Sequence, residues 1–128
     1  MRNRTAPNRR TALSLALATT LGSLLAACGG SANEPPKVTL AAAPSGGVVG
    51  EVITLVAAAE DDDGVKEVRF YRIDVGTEAL LATVTTSPYL FQTTIPVGAV
   101  GTVTYLARAV DGDDETSDSN TVSVTVTT

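Results

Sequence analysis

The stretch Ile53-Thr54-Leu55-Val56-Ala57-Ala58-Ala59 decides the fold, because its core-type side chains recur at every second position. The same alternation recurs in Val103-Thr104-Tyr105-Leu106-Ala107-Arg108-Ala109 and in Val122-Ser123-Val124-Thr125-Val126. A period of two places successive side chains on opposite faces of an extended strand, whereas a helix requires a period of 3.6. Within residues 37–128, no window has the apolar spacing of an amphipathic helix. The sequence therefore predicts an all-β fold.

Seven strands can be placed between clusters of Gly, Pro, Asp and Ser, near residues 38–42, 52–59, 66–73, 79–85, 89–95, 102–110 and 121–126. Short strands joined by tight turns favour two antiparallel sheets packed face to face. The alternating residues predicted to fill the space between them are Val38, Leu40, Ile53, Leu55, Ala57, Val68, Phe70, Leu81, Tyr89, Phe91, Val103, Tyr105, Ala107, Val122 and Val124. The alternation fails at Tyr71-Arg72-Ile73, where we expect a β-bulge that turns Ile73 inward and lets Arg72 reach water.

The N-terminal segment has the parts of a secretory signal. Residues 1–10 carry four arginines and no acid, and residues 11–27 are Leu, Ala, Thr, Ser and Gly, too few and too diluted to span a bilayer. The segment ends in Leu25-Ala26-Ala27-Cys28, which holds the chain's one cysteine and resembles the lipobox of bacterial lipoproteins. That resemblance implies cleavage after residue 27 and acylation of Cys28. An ordinary signal peptide with a chance cysteine, or an uncleaved anchor, is the alternative.

The composition of the remaining chain excludes several functions. Without residues 1–27, five basic and fourteen acidic side chains give a net charge of −9, so nucleic acid is not expected as a partner. Histidine is absent, and acylation of Cys28 would leave no thiol, which removes disulfides and cysteine-ligated zinc. Residues 28–36 are the lipidated cysteine and a Gly/Ser/Pro linker, and residues 37–128 are one domain.

The body of the chain resembles a known family. The most specific stretches are Asp61-Asp62-Asp63-Gly64-Val65, then Val68-Arg69-Phe70-Tyr71, and Ser87-Pro88-Tyr89. Over residues 35–128 the chain is similar to the bacterial immunoglobulin-like (Ig-like) domain, a module of secreted and surface proteins. The resemblance implies a seven-stranded antiparallel Ig-like β-sandwich over 37–128. It is not an antibody-type domain, because the paired cysteines and the tryptophan are absent.

Acidic side chains form the one constellation with candidate chemistry. Asp61, Asp62 and Asp63 follow the second predicted strand, Asp111, Asp113 and Asp114 follow the sixth, and both connections share one end of an Ig-like sandwich. Together with Glu60 and Glu115 they gather eight of the fourteen acidic residues, and Glu34 could approach. Hard oxygen ligands on two loops suit Ca²⁺, so these aspartates are a candidate calcium site. Solvated tight turns, which Asp and Gly form readily, are the alternative.

Catalysis is poorly supported, because no histidine can activate Ser87 or Ser117 and loops this short build no cleft. A glycan platform would need exposed rings, and Tyr71 alone is expected to point outward. The sequence therefore predicts a non-enzymatic, lipid-anchored module of the bacterial cell envelope with a structural, adhesion or protein-interaction role. The alternatives are a Ca²⁺- or glycan-binding accessory module, and a subunit that joins envelope proteins through an exposed edge strand. We expect a monomer without cofactor, held at the outer membrane if the cell is Gram-negative, because Gly29 rather than Asp follows Cys28.

Overall fold

The computed structural model of the protein describes residues 33–128. The predicted signal peptide and Cys28 lie outside the described residues. Nine strands and no helix occur in this range: β1 Lys37–Ala43, β2 Gly46–Gly47, β3 Val52–Glu60, β4 Val65–Asp74, β5 Thr77–Val84, β6 Tyr89–Thr94, β7 Thr102–Asp111, β8 Thr116–Asp118 and β9 Val122–Val126. The all-β prediction is confirmed.

The strands form two sheets. One has the order β1-β3-β6, and the other has the order β2-β9-β7-β4-β5 with β8 paired to β7. All pairs are antiparallel except β2 with β9, which are parallel. Each of the seven predicted strands has a counterpart, and the fourth of them, β5, lies beside β4.

Two short strands were not predicted, because neither has an alternating pattern. Strand β2 is Gly46-Gly47, and a Cβ on Gly46 would lie 2.9 Å from the Thr125 carbonyl oxygen, so the close approach to β9 requires glycine. Strand β8 is the polar Thr116–Asp118. It directly follows the second acidic loop, and its composition does not distinguish it from that loop. Strand β2 adds one strand beside β9, whereas β8 and β9 pair with successive parts of β7.

The core lies between the sheets, as predicted. Of the fifteen predicted inward residues, eleven are buried: Leu40, Ile53, Leu55, Ala57, Val68, Phe70, Tyr89, Val103, Tyr105, Ala107 and Val124. The other four, Val38, Leu81, Phe91 and Val122, are partly buried and pack against this core. Ile95 was left out of the predicted set although it ends the predicted strand 89–95 in alternation with Tyr89 and Phe91; it is buried, and its backbone N–H donates to the Glu51 carbonyl. Leu106 and Val110 were missed because both belong to the set predicted to face outward, yet they are buried.

The prediction of a bulge at 71–73 that turns Ile73 inward is wrong. The ladder between β4 and β7 runs without a shift from Glu67 to Ile73, which places Arg72 opposite the buried Tyr105 and Ile73 opposite Thr104. Directly opposed residues share a face, so Arg72 lies on the core side. The shift occurs in the pairing of β4 with β5, where the residue without a partner is Leu81 of β5. A bulge on the neighbouring strand is invisible in the pattern of β4 itself.

The strand directions gather the loops at two ends of the sandwich. The β3–β4 and β7–β8 loops and the start of β1 form the acidic pole, defined by Glu34, residues 60–63, Asp111 and residues 113–115. The opposite end, the valine pole, contains the β2–β3 loop, the β4–β5 turn and the β6–β7 loop. Its exposed side chains are Val48, Val49, Val52, Val75, Val97 and Val100.

Candidate functional site

The acidic pole brings together the two loops that the sequence predicted to meet. Val65 at the start of β4 pairs with Asp111 at the end of β7, and a Cβ on Gly112 would lie 3.8 Å from the Asp63 carbonyl oxygen. Glu34 reaches the same end, because it lines a shallow cavity of about 190 Å³ together with Glu60, Asp61 and Asp62. The spatial grouping is therefore confirmed. The hydrogen bonds and ion pairs of each carboxylate determine whether it is free to bind a cation.

Asp111 holds the second loop in shape. Its side chain is fully buried, and Oδ1 accepts hydrogen bonds from the backbone N–H groups of Asp113 at 2.8 Å and Glu115 at 2.9 Å. The Asp111 N–H in turn donates to the Glu115 carbonyl at 3.0 Å, so the carboxylate closes a tight loop. A buried carboxylate is costly unless hydrogen bonds satisfy it, and here the loop backbone supplies them. Asp111 has a structural role that the sequence did not reveal.

Other carboxylates of the acidic pole are also engaged. Asp61 Oδ2 accepts from the Asp63 N–H at 2.9 Å, which is the local turn bond expected of an aspartate in this position. Lys66 Nζ lies 2.8 Å from Asp114 Oδ1, and this carboxylate raises the pKa of the exposed lysine. Asp114 has a positive φ of 68°, a conformation that Asp tolerates better than most residues. These contacts link the two loops through Lys66.

The carboxylates do not form a ready-made metal site. Within residues 33–128, no group of three or more Asp or Glu side chains is arranged to hold a metal ion. Two of the predicted ligands, Asp61 and Asp111, direct a carboxylate oxygen at backbone N–H groups of their own loops. Lys37 also lines the cavity beside Glu34 and Asp61, where a cation would have to compete with it. Calcium binding by Asp61, Asp62, Asp63, Asp111, Asp113 and Asp114 therefore stays a prediction that requires the loops to rearrange.

Tyr71, the one ring expected to be free for a glycan, is partly buried and has a cation against its ring face. The guanidinium of Arg108 lies 4.8 Å from the centre of the Tyr71 ring. Arg108 Nη2 also contacts Glu78 at 3.0 Å and Asp118 at 3.1 Å, and these partners raise the pKa of Arg108. The outer face of the larger sheet is thus a charged, internally paired surface.

The outer face of the smaller sheet is its opposite in character. Strands β1, β3 and β6 carry no charged residue except Lys37 and Glu60, which lie at the acidic pole. Glu51 lies just before β3, at the other end of the sheet. The ladder places Ala41 beside Val56 and Val56 beside Leu90, with Val56 41% and Leu90 46% exposed. This neutral face was not identified from the sequence, although the absence of charge was visible there.

Comparison with known proteins places the chain in a family. A sequence model described as a bacterial Ig domain matches residues 36–126. The chain belongs to the bacterial Ig domain family. The resemblance expected over 35–128 and the Ig-like sandwich are thereby confirmed.

Among solved structures, this bacterial Ig domain is similar to the fibronectin(III)-like modules of Clostridium thermocellum CbhA. The two chains are 30% identical with a TM-score of 0.56, and the match covers 70% of this chain and 94% of the other. No curated protein matches at a significant level. Ig-like and fibronectin-III-like domains are typically structural or interaction modules without catalytic activity. Residues 33–128 include no helix that could span a lipid bilayer.

Proposed function

We propose that the protein is a lipid-anchored, non-enzymatic component of the bacterial cell envelope whose Ig-like domain acts as a structural, adhesion or protein-interaction module. The observation that carries the proposal is the sequence Leu25-Ala26-Ala27-Cys28, nine residues ahead of the first strand of a family domain that is typically an interaction module. Cys28 is the lipidation site, and the lipid is the contact with the membrane. Gly29 favours the outer membrane in a Gram-negative cell.

The spacing between anchor and domain supports this role. Eight residues, 29–36, separate Cys28 from Lys37, and a fully extended chain of that length reaches at most about 28 Å. The net charge of −9 after residue 27 repels anionic headgroups, so the lipid alone would hold the domain near the bilayer. A short tether and a compact sandwich suit a module that meets partners close to the membrane.

The test is the mass of the mature protein. We expect the wild type to lose residues 1–27 and to carry added acyl mass on Cys28, whereas Cys28→Ser should stay in the membrane as an unprocessed precursor. A mature wild-type protein without acyl mass would contradict the anchor. The matched control Ser31→Cys in a Cys28→Ser background should not restore acylation, because residue 31 is outside the Leu-Ala-Ala-Cys pattern.

Calcium binding at the acidic pole is a second candidate function. It is favoured by the cavity lined by Glu34, Glu60, Asp61 and Asp62, where a divalent cation would relieve the crowding of like charges. Lys37 in the same cavity and the turn bonds of Asp61 weigh against it.

A further inference from the structure

We propose that strand β6, Tyr89–Thr94, is a docking edge to which an extended, uncharged segment of a partner protein adds as a further strand. This inference rests on the proposed role as an interaction module and names the surface and the chemistry of the partner. The argument begins from the sheet edges, because an edge strand presents unpaired N–H and C=O groups that template pairing with another chain.

The other strands with an open side within residues 33–128 are short or blunted, and β8 has only three residues, one of them Asp118. The open side of β1 is clamped at Leu40, whose N–H donates to Asn120 Oδ1 and whose carbonyl accepts from Asn120 Nδ2, both at 3.0 Å. Strand β2 has only two residues. Strand β5 has the unpaired Leu81 and a charged Glu78, and bulges and charges are devices that protect edges.

Strand β6 has none of these protections. It pairs with β3 from Val52↔Thr94 to Ala57↔Tyr89 without a register shift, and the six residues Tyr-Leu-Phe-Gln-Thr-Thr include no charge and no proline. Beyond its end, Ile95 donates to the Glu51 carbonyl and its own carbonyl accepts from the Gly50 N–H, so its backbone faces β3. The N–H and C=O groups of successive residues in a strand point to opposite sides. Because those of Ile95 point toward β3, those of Leu90, Gln92 and Thr94 point to the open side. An incoming strand would meet a regular row of donors and acceptors.

The side chains around β6 specify the partner. On the outer face, an added strand would lie beside Leu90, which is 46% exposed and pairs with the 41% exposed Val56 of β3 on its other side. On the inner face it would cover the half-buried Phe91, which stacks on Phe70 with ring centres 6.0 Å apart, and approach Leu81 of β5. The acids of the described domain repel an acidic segment, and β6 itself carries no carboxylate that could pair with a basic one, so an uncharged segment fits best. The fitting partner is a segment of about six residues that alternates apolar with hydroxyl side chains.

Strand addition can be tested with the protein as purified from cells in mild detergent and a capped synthetic peptide, Thr-Val-Ser-Val-Thr-Val. With the peptide at millimolar concentration, we expect the amide signals of Leu90, Gln92 and Thr94 to shift and their hydrogen exchange to slow by about tenfold. The peptide Thr-Val-Ser-Pro-Thr-Val should have no effect, because proline interrupts the added ladder, and Glu-Val-Glu-Val-Glu-Val should bind at least several-fold more weakly.

Two protein variants provide matched controls. Gln92→Pro removes a backbone N–H that faces the open side while leaving the β3 ladder intact, and it should abolish the peptide effect. Asn120→Ala unclamps β1 and should add a second set of peptide-induced shifts at Leu40. No slowing at β6 of the wild type, or equal effects of the proline peptide, would overturn the proposal. That result would leave acylation of Cys28 untouched, because the anchor is measured separately by mass.

Discussion

At the scale of single residues, Asp111 shows that a charged side chain in an acidic loop can be part of the fold. Its carboxylate is fully buried and accepts two backbone hydrogen bonds within the β7–β8 loop. Removal of the buried carboxylate leaves the Asp113 and Glu115 N–H groups without their acceptor, a change that costs about 1–3 kcal/mol. We expect Asp111→Ala to lower the free energy of unfolding by that amount in a urea titration. Asp113→Ala, an exposed control in the same loop, should change it by about 0.5 kcal/mol or less.

Tyr105 is the reverse case, a polar group that the core does not satisfy. The side chain is fully buried, and within the described residues its hydroxyl has no hydrogen-bond partner. Removal of an unsatisfied buried hydroxyl also removes its desolvation cost, so Tyr105→Phe should raise the midpoint of urea unfolding. Tyr89→Phe is the control. The Tyr89 hydroxyl is not a buried group that lacks a partner, so its removal should give no such gain.

The same tyrosine predicts a dependence on pH. Burial raises the pKa of Tyr105 above its usual value of 10.0, because the charged form is poorly solvated in the core. Because the pKa is higher in the folded state, the unfolded protein ionises this tyrosine first. The free energy of unfolding is therefore unaffected below pH 10 and falls as the pH rises further. The wild type should therefore lose more stability between pH 9 and pH 11 than Tyr105→Phe does. Equal losses in thermal melts across that range would contradict the burial argument.

At the scale of elements, the β4–β5 turn carries an unfavourable residue. Val75 has φ of 46° and Gly76 has φ of 80°, the pattern of a two-residue hairpin turn that prefers Asn-Gly. A β-branched side chain is strained in this region, by roughly 1–2 kcal/mol for an ordinary residue, and Val75 is fully exposed and gains nothing from packing. Val75→Asn should therefore stabilise the domain by about 1 kcal/mol in chemical denaturation. Val97→Asn, equally apolar and exposed in another loop of the valine pole, should not.

The elements also show which features could be predicted from the sequence. Alternation within a strand marks its own two faces, so β3, β7 and β9 and eleven buried core residues were identified correctly. Features that depend on a neighbouring strand left no local pattern. The Leu81 bulge, the pairing of β2 with β9 and the clamp of Asn120 on Leu40 all belong to this class. The acidic pole was located because connectivity fixes which loops share an end, whereas the direction of each carboxylate depends on turn geometry that the sequence does not specify.

At the scale of the whole molecule, the acidic pole predicts how cations affect the free energy of unfolding. If Ca²⁺ binds the acidic pole of the folded state, it stabilises that state by about 2.7 kcal/mol at a hundredfold excess over Kd. Mg²⁺ should do much less, because it retains its waters and demands octahedral geometry. Asp62→Asn with Asp113→Asn should remove the calcium effect while sparing the turn bonds of Asp61 and Asp111. Thermal melts in EDTA, Ca²⁺, Mg²⁺ and NaCl separate this from simple screening, in which equal shifts would exclude a calcium site.

The parallel pairing of β2 with β9 has a consequence for mechanical force. The first strand begins at the acidic pole and β9 ends at the valine pole, so tension between the two ends of the domain acts along the strands. The Ser45 carbonyl accepts from the Thr125 N–H at 3.0 Å and the Gly47 carbonyl accepts from the Thr127 N–H at 2.8 Å, and such tension would shear these bonds together instead of opening them one at a time. A domain pulled between the start of β1 and the end of β9 would resist extension at this patch first. Replacement of Gly46 by Val, which cannot approach β9, should lower the unfolding force in a single-molecule pulling experiment.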